Sequence, residues 1–193
     1  MSSREQQRKH PRSLRIIAGS WRGRRLTFPP STGVRPTPDR VRETLFNWLR
    51  DRIEGARCLD LYAGSGVLGF EALSRGARET WFVERDRSLA DAIAAHARLL
   101  AAAVRVVNED VERFLERNDV GSFDIVFVDP PYTVPVEPIA ARLPSILNTG
   151  ALVYFERSAR EGLPQGEMFR WHKTSRAGAV TYGLAAITPA PRA

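Results

Sequence analysis

The fold is indicated most clearly by residues 58–69, C-L-D-L-Y-A-G-S-G-V-L-G. An apolar run ends at Leu61, and Gly64, Gly66 and Gly69 then form the pattern G-x-G-x-x-G at the start of a helical pattern. Glycines allow a backbone to turn sharply and to approach a ligand closely. A strand, a glycine turn and a helix in this order are typical of a nucleotide-binding βαβ unit, and the alternative is a turn that only packs helix against strand.

The alternation of strand and helix continues outward from this motif. Apolar runs and helical patterns predict strands at 58–61, 80–84, 104–108, 123–128 and 152–156, and helices at 67–75, 88–102, 111–117 and 136–147. Continuous apolar strands favour a parallel sheet that is covered on both faces. We therefore predict an α/β fold with a doubly wound parallel sheet and a ligand crevice at the carboxyl ends of its strands.

Two hairpins flank this pattern. Residues 14–28 predict two short strands around a Gly/Ser turn, and residues 168–187 predict a hairpin that turns at 177–178. Thr37 before Pro38 predicts the N-cap of a further helix, and Ser88 with Asp91 resembles a capping box at the start of the helix predicted at 88–102. Residues 1–13 are polar and unpatterned, so we expect a disordered basic tail at 1–13, a hairpin and loop at 14–34 and a main domain at 35–193.

The charge of the chain is unevenly placed. The 193 residues carry a net charge of +7, of which residues 1–50 carry +9 and the rest −2. Of the 29 basic residues 27 are arginines, whose planar fork of donors matches phosphate oxygens. A preference of the genome for arginine would explain the choice of residue but not its crowding, so the pattern indicates a nucleic-acid partner.

Composition excludes several classes of protein. A single cysteine, Cys58, excludes an internal disulfide and a cysteine-rich zinc site, and three histidines far apart in sequence suggest no metal cluster. The sequence has no apolar run that could span a bilayer and no apolar signal core at its start. We therefore expect a cytoplasmic protein without a bound metal.

Three carboxylates lie at or just after the ends of the predicted strands. Glu84 lies 20 residues after Gly64, where a carboxylate can accept hydrogen bonds from ribose hydroxyls, and this alone would suit NAD as well. Asp60 would repel a pyrophosphate on the glycine turn and instead suits a positive amino group, such as the one in S-adenosylmethionine. Asp110 follows the third strand, in position to meet an adenine edge. The D-x-x-x-G-x-G pattern favours S-adenosylmethionine.

The fourth strand leads directly into Asp129-Pro130-Pro131-Tyr132. Two prolines stiffen this turn, so Asp129 and the Pro130 carbonyl have fixed directions. Together they can accept both N–H bonds of an exocyclic amine and direct its lone pair at a methyl donor, while Tyr132 stacks on the base. Positioning would supply most of the catalysis, with Asp129 a possible proton acceptor. The tetrapeptide alone could also be a rigid surface turn.

With both motifs in place, the sequence resembles class I S-adenosylmethionine-dependent methyltransferases. Within them it is similar to the RsmD family, which methylates N2 of a guanine in bacterial 16S ribosomal RNA. The likeness extends from residue 15 to about residue 187. The matching stretches are R-I-I-A-G-S-W-R-G-R-R-L (15–26), R-P-T-P-D-R-V-R-E-T-L-F-N-W-L (35–49), D-L-Y-A-G-S-G-V-L-G-F-E-A-L-S-R-G-A (60–77) and F-V-D-P-P-Y (127–132).

The resemblance implies a Rossmann-like, seven-stranded, mostly parallel sheet with an antiparallel last strand and an RNA-contacting N-terminal hairpin. It implies the target guanine 966, in the family's usual rRNA numbering, on the small ribosomal subunit or its assembly intermediate, and we expect a monomer. The catalytic residues would be Asp129, Pro130 and Tyr132. The S-adenosylmethionine contacts would be Thr37, Asp60, Ala63, Gly64, Ser65, Gly66, Glu84, Asp110, Val111 and Asp129. The RNA contacts would be Arg15, Trp21, Arg22, Arg24, Arg25 and Arg35, although Trp21 could equally pack on the domain.

Three other functions remain open. A DNA adenine-N6 methyltransferase uses the same Asp-Pro-Pro-Tyr logic, but little chain is left for a target-recognition region. An NAD-dependent oxidoreductase is disfavoured by Asp60 and by the lack of a catalytic Lys, Tyr or His constellation. A non-catalytic RNA-binding module is disfavoured by the intact Asp60, Glu84 and Asp129.

Overall fold

The computed structural model describes residues 12–29, 37–117 and 119–188. The elements in chain order are β1 (Arg12–Arg15), β2 (Arg25–Phe28), α1 (Asp39–Trp48), β3 (Arg57–Leu61), α2 (Val67–Ser74), β4 (Glu79–Val83), α3 (Arg87–Leu99), β5 (Val104–Val107), α4 (Val111–Phe114), β6 (Phe123–Val128), α5 (Glu137–Arg142), a 3-10 helix (Leu143–Ile146), β7 (Leu147–Ser158), β8 (Phe169–Ala177) and β9 (Val180–Ile187). None of the helices in these ranges is both long and apolar enough to cross a membrane.

Seven strands form one sheet in the order β5-β4-β3-β6-β7-β9-β8. The first five of these strands pair in parallel, and β9 is antiparallel to both β7 and β8. The predicted seven-stranded, mostly parallel sheet with an antiparallel last strand is therefore confirmed. Strand order reverses between β3 and β6, which is where an open α/β sheet offers a crevice at the carboxyl ends of its strands.

Helices cover both faces of the sheet. Successive residues of one strand pack into different cores, because their side chains point to opposite faces of the sheet. Cys58 packs in the buried cluster beneath α1, α2 and α3, whereas Leu59 packs in the cluster beneath α4 and α5. Cys58 is fully buried and burial raises the pKa of its thiol, so it is a core residue.

The N-terminal hairpin packs on the same body. β1 and β2 pair antiparallel, and Ile16 and Leu26 are buried in the cluster that contains α1 to α3. The carboxylate of Glu71 in α2, itself fully buried, accepts hydrogen bonds from the backbone N–H groups of Ile17 (2.8 Å) and Ala18 (3.0 Å). The hairpin thus shares a core with the main domain instead of extending away from it.

The start of the hairpin differs from the prediction. β1 begins at Arg12, so the predicted disordered tail overlaps this strand at Arg12 and Ser13. The remainder of that tail and Arg35 lie outside the described residues.

Two predicted helix caps are wrong. The N-cap of α1 is Pro38, not Thr37, because Pro38 is the last extended residue and the Thr37 hydroxyl donates to Asp129 instead. The N-cap of α3 is Asp86, whose carboxylate accepts from the N–H groups of Ser88 and Leu89, so the predicted capping box of Ser88 and Asp91 is absent from this helix.

Other boundaries shift by a few residues. The helix predicted at 136–147 divides into α5 and the 3-10 helix, whose first turn contains a proline, Pro144, that cannot donate a backbone hydrogen bond. The strand predicted at 152–156 is longer and extends over Leu147–Ser158. β6 has the predicted bounds.

Candidate active site

A cavity of about 440 Å³ opens at the carboxyl ends of β3, β4 and β6. Residues from six separate parts of the chain line it, as expected at the switch point of a doubly wound sheet. Most of the predicted cofactor and catalytic residues come together in its wall: Thr37, Asp60, Ala63, Gly64, Ser65, Glu84, Asp110, Val111, Asp129, Pro130 and Tyr132.

Gly66 is the member of the predicted set that does not line this cavity. It is the N-cap of α2 with a φ of 74°, and its N–H donates to the Ala63 carbonyl at 2.7 Å. A Cβ atom here would lie 3.1 Å from Phe70 and Ile93. Gly66 therefore shapes the turn from behind the wall, because only glycine adopts this backbone angle without strain at so close an approach.

Asp60 lies beneath the glycine turn at the end of β3. Its side chain is buried, and Oδ2 accepts a hydrogen bond from the Gly69 N–H at 3.0 Å. Burial raises the pKa of this carboxyl well above its usual range, and the nearby Glu84 raises it further against the opposing effect of the Gly69 hydrogen bond. A positive ligand group beside Asp60 would favour its ionised form.

Glu84 joins the glycine turn to the end of β4. Its Oε2 accepts from the Gly64 N–H at 2.8 Å and its Oε1 from the Asp86 N–H at 2.7 Å. Both oxygens are thereby oriented at the rim of the cavity. Asp110 follows the neighbouring strand β5 and is the N-cap of α4, accepting from the Glu112 N–H at 2.9 Å.

Asp129 follows β6 at the base of the cavity. The Thr37 hydroxyl donates to its Oδ2 at 3.4 Å, which brings the segment before α1 against the Asp-Pro-Pro-Tyr turn. Burial raises the pKa of Asp129 well above its usual range, Glu156 and Asp60 raise it further, and the Thr37 hydrogen bond acts in the opposite direction.

Glu156 and Arg157 are site residues that sequence reasoning missed. Both are buried at the end of β7, and Glu156 lines the cavity next to Asp129. Arg157 donates from Nη2 to the Tyr132 carbonyl (3.0 Å) and from Nη1 to the Val134 carbonyl (2.9 Å). It thus clamps the chain after the two prolines. The available signal was a pair of charged residues that ends the apolar run L-V-Y-F.

The cavity is strongly acidic. Among the described residues that line it, seven are acidic and one, Arg85, is basic; the acidic ones are Asp60, Glu84, Asp86, Glu109, Asp110, Asp129 and Glu156. Such a lining favours a ligand with positive charge and disfavours a pyrophosphate. Within residues 12–29, 37–117 and 119–188, no group of three His, Cys, Asp or Glu side chains has the arrangement of a metal site.

Comparisons with known proteins agree with this architecture. A family model described as "Conserved hypothetical protein 95" matches residues 14–186. The chain is 44% identical over 177 residues to "Ribosomal RNA small subunit methyltransferase D" of Escherichia coli (strain K12), covering 89% of this chain and 88% of that one. It is 40% identical over 178 residues to the protein of the same description from Haemophilus influenzae, covering 89% and 92%.

The chain belongs to the RsmD family of methyltransferases. The solved structure of yhhF from Escherichia coli has a TM-score of 0.81 to this chain at 40% identity, and covers 91% of this chain and 98% of that one. Because the likeness begins within the N-terminal hairpin, that hairpin is part of what the family shares.

Five of the six predicted RNA contacts of this family member lie on the hairpin. Arg15, Arg22, Arg24 and Arg25 are exposed, whereas Arg35 lies outside the described residues. Trp21 is half-buried and its ring meets Phe70 edge-on, with 6.5 Å between ring centroids. One side of Trp21 therefore packs on the domain, and the four arginines form the exposed basic surface next to it.

Proposed function

We propose that this RsmD-family methyltransferase transfers a methyl group from S-adenosylmethionine to N2 of a guanine in 16S rRNA, guanine 966 in the family's usual numbering. Its substrate would be the small ribosomal subunit or an assembly intermediate, and it would act as a monomer in the cytoplasm. The observation that carries the proposal is the position of Asp129-Pro130-Pro131-Tyr132 in the wall of a cavity lined by acidic residues.

The residues of the cavity fit S-adenosylmethionine. When bound, this molecule supplies an electrophilic methyl group on a positively charged sulfur. Asp60 and the turn at Ala63, Gly64 and Ser65 would hold its methionine part, and the acidic wall suits its positive charges. Glu84 offers two oriented oxygens to the ribose hydroxyls, since each already accepts one backbone hydrogen bond and a carboxylate can accept several.

The adenine side of the cavity would be formed by the start of α4. Asp110 and Val111 line the cavity there, with Asp110 fixed by its capping bond to the Glu112 N–H. Leu89 of α3 adds apolar surface to the same wall. A polar acceptor beside apolar side chains is the usual composition of a site that binds a heterocyclic base.

The target amine would be held at the Asp-Pro-Pro-Tyr turn. Asp129 and the Pro130 carbonyl would accept its two N–H bonds, which draws the nitrogen toward tetrahedral geometry and exposes its lone pair. Tyr132 would stack on the base, with its backbone carbonyl fixed by Arg157. Groups that are fixed before the reaction lower the barrier by orientation and by electrostatic stabilisation.

The exposed arginines of the hairpin would bind rRNA phosphates. Arg15, Arg22, Arg24 and Arg25 project from a hairpin that Glu71 ties to α2. A base in an rRNA loop can be splayed out and stacked on an aromatic side chain, for which Tyr132 and the exposed side of Trp21 are available. The basic surface would therefore hold the RNA, while the acidic cavity holds the cofactor.

Transfer of a labelled methyl group tests the proposal. The acceptors are small subunits that lack the modification, their naked 16S rRNA, and DNA. We expect label on the subunits as N2-methylguanine. Label on DNA adenine would instead support a DNA adenine-N6 methyltransferase, and cofactor binding without label on any acceptor would contradict the rRNA assignment.

A further inference from the structure

Glu156 and Asp129 are neighbours at the carboxyl ends of adjacent strands. In the parallel pair β6 and β7, Val128 is the register partner of Phe155, so the residues that follow them stand side by side. Both carboxylates line the cavity, and Glu156 is 4% exposed. Two carboxylates at neighbouring positions, one buried and one half-buried, repel each other, which costs free energy unless hydrogen-bond donors meet them.

Glu156 is held in a defined position. The hydroxyl of Tyr154 donates to its Oε2 at 2.7 Å, and the Tyr154 ring packs between those of Phe127 and Tyr182. A carboxylate has about four lone-pair sites on two oxygens, of which the Tyr154 bond uses one, and Glu156 lines the cavity. The sheet thus presents a second oriented acceptor about one strand spacing, roughly 4.8 Å, from the backbone of Asp129.

We propose that Glu156 determines specificity for guanine by accepting the N1–H of the target base while Asp129 accepts a hydrogen bond from its N2 amine. The inference rests on the proposed function and adds to it the residue that selects the base. Guanine presents N1–H and N2–H as adjacent donors on one edge, which matches two adjacent carboxylates. Adenine presents an unprotonated N1, whose lone pair a carboxylate at this position repels.

Base analogues test this assignment without any variant. Small subunits are reconstituted with 16S rRNA that carries 2-aminopurine in place of the target guanine, because 2-aminopurine keeps the N2 amine but lacks N1–H. Sites built to hydrogen-bond a donor strongly reject an analogue without it, so we expect wild-type kcat/KM to fall by about 100-fold or more. Equal transfer to both bases would overturn the assignment.

The variant Glu156→Gln provides a second test of the role of Glu156. A glutamine amide can donate to the unprotonated N1 of 2-aminopurine, so we expect transfer to guanine to fall at least about 10-fold and the preference for guanine over 2-aminopurine to shrink by about 100-fold. Taking the ratio of bases within each protein removes the difference in their intrinsic reactivity. The matched control is Glu167→Gln, an exposed glutamate, which should keep the wild-type preference.

Each contrary outcome has a distinct meaning. If Glu156→Gln lowers transfer to both bases in the same proportion, the residue only supports the fold and the assignment is wrong. If the wild type fails to methylate guanine subunits at all, the proposed function itself fails, and the role of Glu156 fails with it.

Discussion

Asp129 is a carboxyl group in surroundings that disfavour its charge. It is half-buried, and the loss of solvent around the carboxyl together with the nearby Glu156 and Asp60 raises its pKa well above the usual range of an aspartate. A cation in the cavity would act in the opposite direction, since a nearby opposite charge favours the ionised form. The surroundings of Asp129 thus shift its equilibrium toward the neutral form, and a bound cation would shift it back toward the ionised form.

The variant Asp129→Asn should be more stable than the wild type at pH 8. Because the folded-state pKa of Asp129 is raised, its contribution to stability is present below the unfolded pKa and is lost as pH rises through the folded pKa. Each unit of that shift corresponds to about 1.4 kcal/mol. For a chain of this size 1 kcal/mol is about 2–4 °C in Tm.

The gain in stability should disappear at low pH. Below about pH 4, which is the unfolded pKa of an aspartate, the wild-type side chain is neutral in both states. Thermal unfolding between pH 4 and 8 measures the difference, with the exposed Asp51→Asn as control. A variant that is less stable than the wild type at pH 8 would show that the ionised carboxylate is satisfied in the fold.

Arg157 should act by positioning the Asp-Pro-Pro-Tyr turn. The variant Arg157→Lys keeps the charge but loses the fork that reaches the carbonyls of Tyr132 and Val134. We expect the rate of methyl transfer to fall roughly 10-fold to 100-fold, because small misplacements of reacting groups have effects of this size. The dissociation constant for S-adenosylmethionine should stay unchanged.

Steady-state kinetics measures the rate of methyl transfer, and calorimetry measures the dissociation constant for S-adenosylmethionine. The control is Arg160→Lys, an exposed arginine three residues along the chain. Wild-type transfer by Arg157→Lys would show that the two prolines alone fix the turn.

At the scale of the elements, the N-terminal hairpin depends on a close approach to α2. Gly19 has a φ of 84°, its neighbour Ser20 donates its N–H to the Ser74 carbonyl at 2.7 Å, and a Cβ at Gly19 would overlap that carbonyl oxygen. Gly23 has nearly the same φ, 83°, with no atom within 4 Å of its Cβ position. The two glycines thus share a backbone angle and differ in crowding.

The variant Gly19→Ala should displace the hairpin, and Gly23→Ala is its matched control. In both variants the positive φ costs an alanine about 1–2 kcal/mol, but only Gly19→Ala adds the overlap with the Ser74 carbonyl. We expect faster amide exchange at Ile17 and Ala18, whose N–H groups bond to Glu71, and weaker binding to the small subunit. Cofactor affinity should be equal in both variants.

Hydrogen exchange and subunit binding assays check this pair. Indistinguishable behaviour of Gly19→Ala and Gly23→Ala would mean that docking of the hairpin on α2 does not control RNA binding.

The elements also show what the sequence could predict. The bounds of β6 and the start of α2 follow from apolar runs and glycine positions, which are local features. The caps of α1 and α3 could not be chosen in the same way, because several adjacent polar residues can each cap and tertiary contacts decide among them. Thr37, for example, bonds to Asp129, which is 92 residues away.

Buried charge is the other feature that local patterns do not reveal. Glutamate is usually a surface residue, yet Glu71 and Glu156 are both buried. Glu71 accepts hydrogen bonds from the N–H groups of Ile17 and Ala18, more than 50 residues away, and Glu156 is placed next to Asp129 by the pairing of β6 and β7. Most of the predicted cofactor contacts do line the cavity, because they lie at or after strand ends, which apolar runs mark in the sequence.

At the scale of the whole molecule, acidic and basic surfaces are separated. The cavity is lined mainly by carboxylates, whereas the hairpin exposes Arg15, Arg22, Arg24 and Arg25. Such a separation lets one small protein bind a cationic cofactor and a polyanion at the same time. Binding of RNA by the hairpin should therefore depend on salt, while cofactor binding should depend on it much less.

The triple variant of Arg22, Arg24 and Arg25 to alanine should reduce the salt dependence of RNA binding. Each phosphate contact contributes roughly 0.7–0.9 to the slope of log K against log salt, so the slope should become shallower by about 2. The matched control replaces Arg170, Lys173 and Arg176, which are exposed on the edge strand β8. Equal slopes for the two triple variants would remove the hairpin from the RNA interface.

Methyl transfer to N2 of a guanine in 16S rRNA is tested most directly by mapping the position of the transferred methyl group. Small subunits lacking the modification are incubated with S-adenosylmethionine and either the wild type or Asp129→Ala, and the 16S rRNA is then digested and mapped by mass spectrometry. We predict one N2-methylguanine, at guanine 966, which is absent with Asp129→Ala although that variant still binds the cofactor. A methyl group on another atom, or an undiminished yield with Asp129→Ala, would contradict it.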